Sequence, residues 1–150
     1  MNIFLRKAQE GDLPLMMSWR SNPLVYGGFY TQRKPLGWDE HVAWFKSRNQ
    51  DWRSFIVLYG GRPVGVVTIG QLEHFSPEIG YYIGEVSLWG KGIGREAVRL
   101  GLEYIKSCGK EYCHTTVLQS NTRSIKLLKS LGFKYLGKAR KSEVWLTKKF

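Results

Sequence analysis

The chain is poor in cysteine, histidine and acid, and it has no long apolar run. Its 150 residues include two cysteines, three histidines and twelve Asp or Glu, against 23 Lys or Arg. Cys108 and Cys113 lack the C-x-x-C spacing of a zinc or redox site, and His41, His74 and His114 are scattered. Reduced thiols and no metal centre are therefore expected. No stretch approaches the ~18 consecutive apolar residues of a membrane span. Met1–Lys7 lacks the basic-then-apolar layout of a signal peptide. These absences leave a cytoplasmic chain as the expectation.

What is present fits one domain over residues 1–150, with 43% hydrophobic and 23% charged residues. A chain of this size buries roughly two-thirds of its unfolded surface. The net charge of +11 is unevenly placed. Residues 1–90 carry nine basic against eight acidic side chains, net +1, and residues 91–150 carry fourteen against four, net +10. The second part presents either a solvated basic face or a site for an anionic ligand.

Residues 2–8 read as a strand, and Asp12 with Pro14 starts a short helix ending near Arg20. From Ser21 to Trp38 no period is sustained. That length suits a binding loop with Tyr26, Phe29 and Tyr30 on its wall, or a partly helical segment packed on the core. Residues 39–48 read as a helix. Ser54–Tyr59 and Pro63–Leu72, joined by Gly60-Gly61-Arg62, read as a hairpin, followed by a strand over Pro77–Ile83. A helix from Ile93 to about Ser107 carries Gly101 inside it, which implies a close contact there. A strand over Tyr112–Leu118, a helix capped by Asn121, and strands over Phe133–Arg140 and Ser142–Lys148 complete the chain.

The stretch Leu88-Trp89-Gly90-Lys91-Gly92-Ile93-Gly94-Arg95 opens that long helix. Glycines before a helix leave free N–H groups and the positive end of the helix dipole facing one spot, a place for an anion. A plain tight turn is the other reading. Gly92-x-Gly94-x-x-Ala97 matches the dinucleotide fingerprint in form, but the next strand ends Val117-Leu118-Gln119 with no acid for a ribose. Lys91 is followed by glycine rather than Ser or Thr, which disfavours a Walker site.

The run Tyr81-Tyr82-Ile83-Gly84-Glu85-Val86-Ser87-Leu88-Trp89-Gly90-Lys91-Gly92-Ile93-Gly94-Arg95-Glu96-Ala97 resembles the acyl-CoA pyrophosphate loop of the GNAT N-acetyltransferases. The family's pattern there is Arg or Gln, two residues, Gly, one residue, then Gly or Ala. Trp89 stands at the first position, as in many members of the Rim-like branch. Asn121-Thr122-Arg123-Ser124 through Gly132-Phe133 is similar to the family's Asn-x-x-Ala/Ser…Gly-Phe segment. Trp19-Arg20-Ser21-Asn22-Pro23 and His41-x-x-Trp44-Phe45 are similar to the amino half of Rim-like and amino-sugar acetyltransferases.

The resemblance implies an α/β fold with a mixed, mostly antiparallel sheet of about seven strands and helices on both faces. It implies transfer of an acetyl group from acetyl-CoA to a primary amine in a ternary complex. The acceptor is then an amino sugar linked to a nucleotide, a protein N-terminal amine or a small amine. A homodimer is open. The reading from another class is a non-catalytic acyl-CoA-binding or RNA-associated module.

For the coenzyme the resemblance implies Ile83, Val86, Leu88, Trp89, the loop Gly90, Lys91, Gly92, Ile93, Gly94 and Arg95, and Asn121, Arg123, Ser124 and Lys126. Backbone N–H groups of 83–88 are the expected oxyanion donors. Glu78 is the candidate general base, with an exposed strand-end carboxylate as the other reading and Glu85 as a weaker choice. Many family members place a tyrosine seven residues after the asparagine; Leu128 stands there, so the usual general acid is missing. Ser124 matches the serine given that role in Rim-like members, with an ordinary third residue of the helix as the other reading, and Tyr82 or water is the substitute. Tyr26, Phe29, Tyr30 and His41 are expected on the acceptor side, with His41 more structural than catalytic.

Overall fold

The polypeptide alternates β1 (Ile3–Lys7), α1 (Leu13–Arg20), α2 (Pro23–Tyr26), α3 (Trp38–Ser47), β2 (Arg53–Tyr59), β3 (Arg62–Gly70) and β4 (Glu78–Ile83). Then come α4 (Ile93–Ser107), β5 (Tyr112–Leu118), α5 (Thr122–Ser130), β6 (Lys134–Lys138) and β7 (Glu143–Lys149). The computed structural model describes residues 1–29, 32, 34–48 and 51–150. The strands form one seven-stranded sheet in the order β1-β2-β3-β4-β5-β7-β6. All neighbours are antiparallel except β4 and β5. The mixed, mostly antiparallel sheet implied by the order of elements is the one found.

Each face of the sheet has its own core. On one side α4 lays Ile93, Ala97, Val98, Leu102 and Ile105 against Val67, Ile79 and Cys113. A Cβ on Gly101 would lie 2.9 Å from Ile79 Cδ1 and 3.0 Å from Val67 Cγ1, the close approach that its place in a helix implies. On the other side α1 packs Leu13, Met16 and Trp19 on Ile56 and Val66. His41 joins α3 to α1. It is fully buried, with Nε2 3.1 Å from the Leu13 carbonyl and its ring stacked on Trp44 at 7°.

Among the described residues, the 21–38 stretch is partly helical and packed on the core. Asn22 accepts a hydrogen bond from the Leu24 N–H at 3.0 Å and caps the short α2, and Val25 is buried. Beyond α2, Gln32 is buried and donates to the carbonyls of Arg20 and Lys34.

β4 and β5 share one register pair, Glu78 with His114, whereas β5 pairs with β7 along its whole length. The two parallel strands meet at their beginnings and part beyond them. At the far end of β4 the chain also leaves regular pairing, since the N–H groups of Gly84 and Glu85 both reach the Val64 carbonyl, at 2.8 and 3.3 Å. The sheet is therefore split in its middle, and the split faces the helix ends that follow β4 and β5.

Candidate active site

A cavity of about 840 Å³ occupies this split. Backbone groups of successive strand residues point to opposite edges. Gly84 N–H points to β3, so Tyr82 does too, while Tyr81 and Ile83 present theirs to the gap where the ladder with β5 has ended. The Ile83 carbonyl is taken by the Trp89 indole N–H at 2.7 Å, which ties the start of the glycine loop to the end of β4. The N–H groups of Gly84, Glu85 and Leu88 are already bonded within the protein. This narrows the donors expected along 83–88, and Ile83 N–H is the one that faces the gap.

The glycine loop forms the mouth. Gly90 and Gly92 have φ of 79° and 82°, left-handed values that cost other residues about 1–2 kcal/mol. Gly92 is the N-cap of α4, so the first-turn N–H groups and the positive helix end open onto the mouth. Leu88, Trp89, Gly90, Gly92, Ile93, Gly94 and Arg95 line the cavity; Val86 and Lys91 lie outside its wall. Arg123, from α5, also lines it and stacks its guanidinium 4.4 Å over the Trp89 ring. Arg95 instead braces α4 against α5 through Ser130 Oγ at 3.0 Å. Lys126, like Lys91, contributes charge near the mouth in sequence but no part of the wall.

A split parallel pair facing a glycine-capped helix is the arrangement that the two sequence motifs require together. A family model, the acetyltransferase (GNAT) domain, matches residues 2–134. The chain belongs to the GNAT acetyltransferase family. An uncharacterized protein from Methanocaldococcus jannaschii is 47% identical over 149 residues, 96% of this chain and 30% of that protein. The chain thus spans about a third of the curated relative it matches. The crystal structure of a domain from Methanocaldococcus jannaschii superposes with a TM-score of 0.94 at 43% identity, covering 99% of both chains. An aminoglycoside acetyltransferase in complex with coenzyme A shares the fold, with a TM-score of 0.87 at 17% identity over 99% of this chain and 95% of that one.

At the closed end of this GNAT cavity, Glu78 sits where β4 and β5 still touch. Its Oε2 accepts from Thr116 Oγ1 at 3.3 Å and lies 4.0 Å from His114 Nε2, and Ser76 Oγ is 3.2 Å from His114 Nδ1. Glu78 lines the cavity and is only partly exposed, so it is not a free strand-end carboxylate. Glu85 is outside the wall and accepts from the Trp19 indole at 3.0 Å.

Tyr82 and Ser124 lie on opposite sides of β4. Tyr82 packs between Trp19 and Phe29, its hydroxyl is buried without a hydrogen-bond partner among the described residues, and burial pushes its phenol well up. Ser124 instead meets a residue that sequence reasoning missed. Tyr81 hydroxyl is 2.8 Å from Ser124 Oγ, and Asn121 Oδ1 caps the Ser124 N–H at 3.3 Å. The alternation of Tyr81-Tyr82 across a strand was the available signal.

Of the residues expected on the acceptor side, Phe29 lines the cavity, in the half away from the glycine loop, whereas Tyr26 does not. Tyr30 lies outside the described residues. His41 has no exposed surface, so it supports the wall from behind instead of lining it, a correction whose cause is its burial between α1 and α3. Two arginines from the nearly neutral part of the chain occupy this half. Arg20 lies largely buried, 5.7 Å from the Phe29 ring centre and 5.3 Å from that of Trp44, and donates from Nε to Gln32 Oε1 at 3.2 Å. Arg48 stacks on Trp44 and Trp52 at 4.6 and 4.1 Å. The Trp19–Pro23 run flagged the neighbourhood of Arg20 but not its orientation.

Proposed function

We propose that this chain is an acetyl-CoA-dependent N-acetyltransferase whose acceptor is an amino sugar linked to a nucleotide. The acceptor half of the cavity carries the reading of the acceptor. It combines Arg20, Arg48, Trp44 and Trp52, and Glu78 is the one carboxylate on the cavity wall among the described residues. Guanidiniums held on indole rings suit a diphosphate. A polycation such as an aminoglycoside, the acceptor class named for the neighbour above, would meet two guanidiniums and a single carboxylate.

For the coenzyme, the α4 N-terminus with Gly90 and Gly92 suits the pyrophosphate, and Arg123 adds charge at the same mouth. The Tyr81 backbone, which faces the split, suits the amides of the pantetheine arm. Coenzyme A supplies the activated acetyl thioester. An amine near pKa 10 is mostly ammonium at neutral pH and must lose a proton before attack. Glu78, at the closed end, takes that proton directly or through water. Ile83 N–H, facing the gap, supports a role as donor to the oxyanion. Ser124 serves as donor to the departing sulfur.

The test is release of free thiol from acetyl-CoA with UDP-linked aminohexoses, free-amine peptides, spermidine and kanamycin. Turnover is expected with the nucleotide sugars and not with the two polycations. Turnover of kanamycin or spermidine alone would replace the acceptor class. Tight coenzyme binding with no turnover of any amine would favour a binding module over an enzyme.

A further inference from the structure

Tyr81 and Ser124 form a part-buried hydroxyl pair on the side of the split proposed for the coenzyme. The two oxygens are 2.8 Å apart and both residues line the cavity. Ser124 is anchored by the Asn121 cap on its N–H. Tyr81 is held against the first turn of α4, where a Cβ on Gly94 would come 3.4 Å from its ring. Two hydroxyls have two protons, and their mutual hydrogen bond uses one. The other proton has no acceptor among the described residues. Burial pushes the Tyr81 phenol up, while Ser124 and the Arg123 charge pull it down. The phenol therefore stays protonated and is polarised toward its partner. Leu128, where the resemblance calls for a tyrosine, lines the same cavity with no hydroxyl to give.

We propose that Tyr81 is a positioning residue that works through Ser124, the pair filling from β4 and α5 the general-acid role that Leu128 cannot. The proposal rests on the coenzyme reading above. Tyr81 donates to Ser124 Oγ, which leaves the serine proton aimed into the cavity. As the carbon–sulfur bond breaks, the sulfur keeps the bonding pair and takes the Ser124 proton. Ser124 Oγ takes the phenol proton, and the phenol is reprotonated from solvent, which receives the proton that the amine gave to Glu78. The ammonium loses two protons, one to Glu78 before attack and one to water as the tetrahedral nitrogen becomes an amide. One replaces the proton delivered to the thiol and the other is released to solvent, so the transfer balances.

The experiment compares binding of coenzyme A and desulfo-coenzyme A, which lacks the thiol, by calorimetry to wild type, Tyr81→Phe and Ser124→Ala. Wild type is expected to prefer coenzyme A by about fivefold, the worth of one hydrogen bond, and each variant to lose that preference while still binding desulfo-coenzyme A normally. With an acceptor from the panel, Tyr81→Phe should lower kcat about tenfold or more and leave KM for acetyl-CoA within about twofold, and the double variant should be no worse than either single one. No preference in wild type, an unchanged preference in Tyr81→Phe, or equal weakening of both ligands would overturn the proposal. If no amine is acetylated, the transferase reading fails while the two binding constants still decide the contact.

Discussion

The two walls of the cavity are made in different ways. The wall proposed for the coenzyme comes from consecutive stretches, 81–95 and 121–128, shaped mainly by backbone features: an N-cap, positive-φ glycines and an open strand edge. The acceptor wall comes from side chains of α1, α3 and the segments after them, brought together by stacking of Arg20, Arg48, Trp44 and Phe29. The formal charge runs the other way. Residues 91–150 carry net +10, yet Lys91 and Lys126 stay off the cavity wall, while the nearly neutral part buries Arg20. Net charge describes the field outside a protein and not where a single charge is buried.

Glu78 lies between the walls, and its removal should have the largest effect. Glu78→Gln is expected to lower kcat about a hundredfold at neutral pH and less at high pH, where more of the amine is already deprotonated. An unchanged pH–rate profile would take Glu78 out of the mechanism. On the coenzyme wall, Gly92→Val forces a β-branched residue to φ near 82° and should raise KM for acetyl-CoA about tenfold or more, with KM for the acceptor nearly constant. Equal change in both constants would erase the distinction between the walls. On the acceptor wall, Arg20→Met should do the reverse, raising KM for a UDP-linked aminohexose about tenfold, as loss of a charge-assisted contact does, and sparing acetyl-CoA.

The smallest effect concerns stability. Burial first, and the Arg20 charge second, hold the His41 imidazole below its ordinary value. The unfolded chain therefore binds the His41 proton more readily. The stability from neutral His41 is fully present above about pH 6.5 and declines as pH falls from there toward the folded value. Melting curves should show Tm falling between pH 7.5 and 5.5, with a shallower fall in His41→Phe. Hydrogen exchange at pH 5.5 should open α3 before α4, because His41 ties α3 to the Leu13 carbonyl. A pH response identical in the two proteins would remove His41 as its source.

Much of the fold was readable from local pattern. The helix opened at Ile93 and the hairpin around Gly60-Gly61 follow from periodicity and turn residues, and their limits in the structure differ from expectation by a residue or two. The glycine loop that caps α4 was readable for the same reason, since an N-cap is a property of neighbouring residues. The pattern shows that the adjacent Tyr81 and Tyr82 face opposite ways without showing what waits on each side. His41 was placed on the acceptor surface because helical spacing gives its neighbours Trp44 and Phe45 but not its depth under α1.

By itself, then, the sequence determined the order of elements, the glycine-capped helix and the missing hydroxyl at position 128, all of which depend on residues close along the chain. The tertiary structure alone decided three things: that β4 and β5 part after Glu78 and His114, that Tyr81 rather than Tyr82 reaches Ser124, and that Arg20 is buried among aromatic rings. Each joins residues far apart in sequence. Local pattern leaves such pairings open, because they are set by how both faces of the sheet are packed at once.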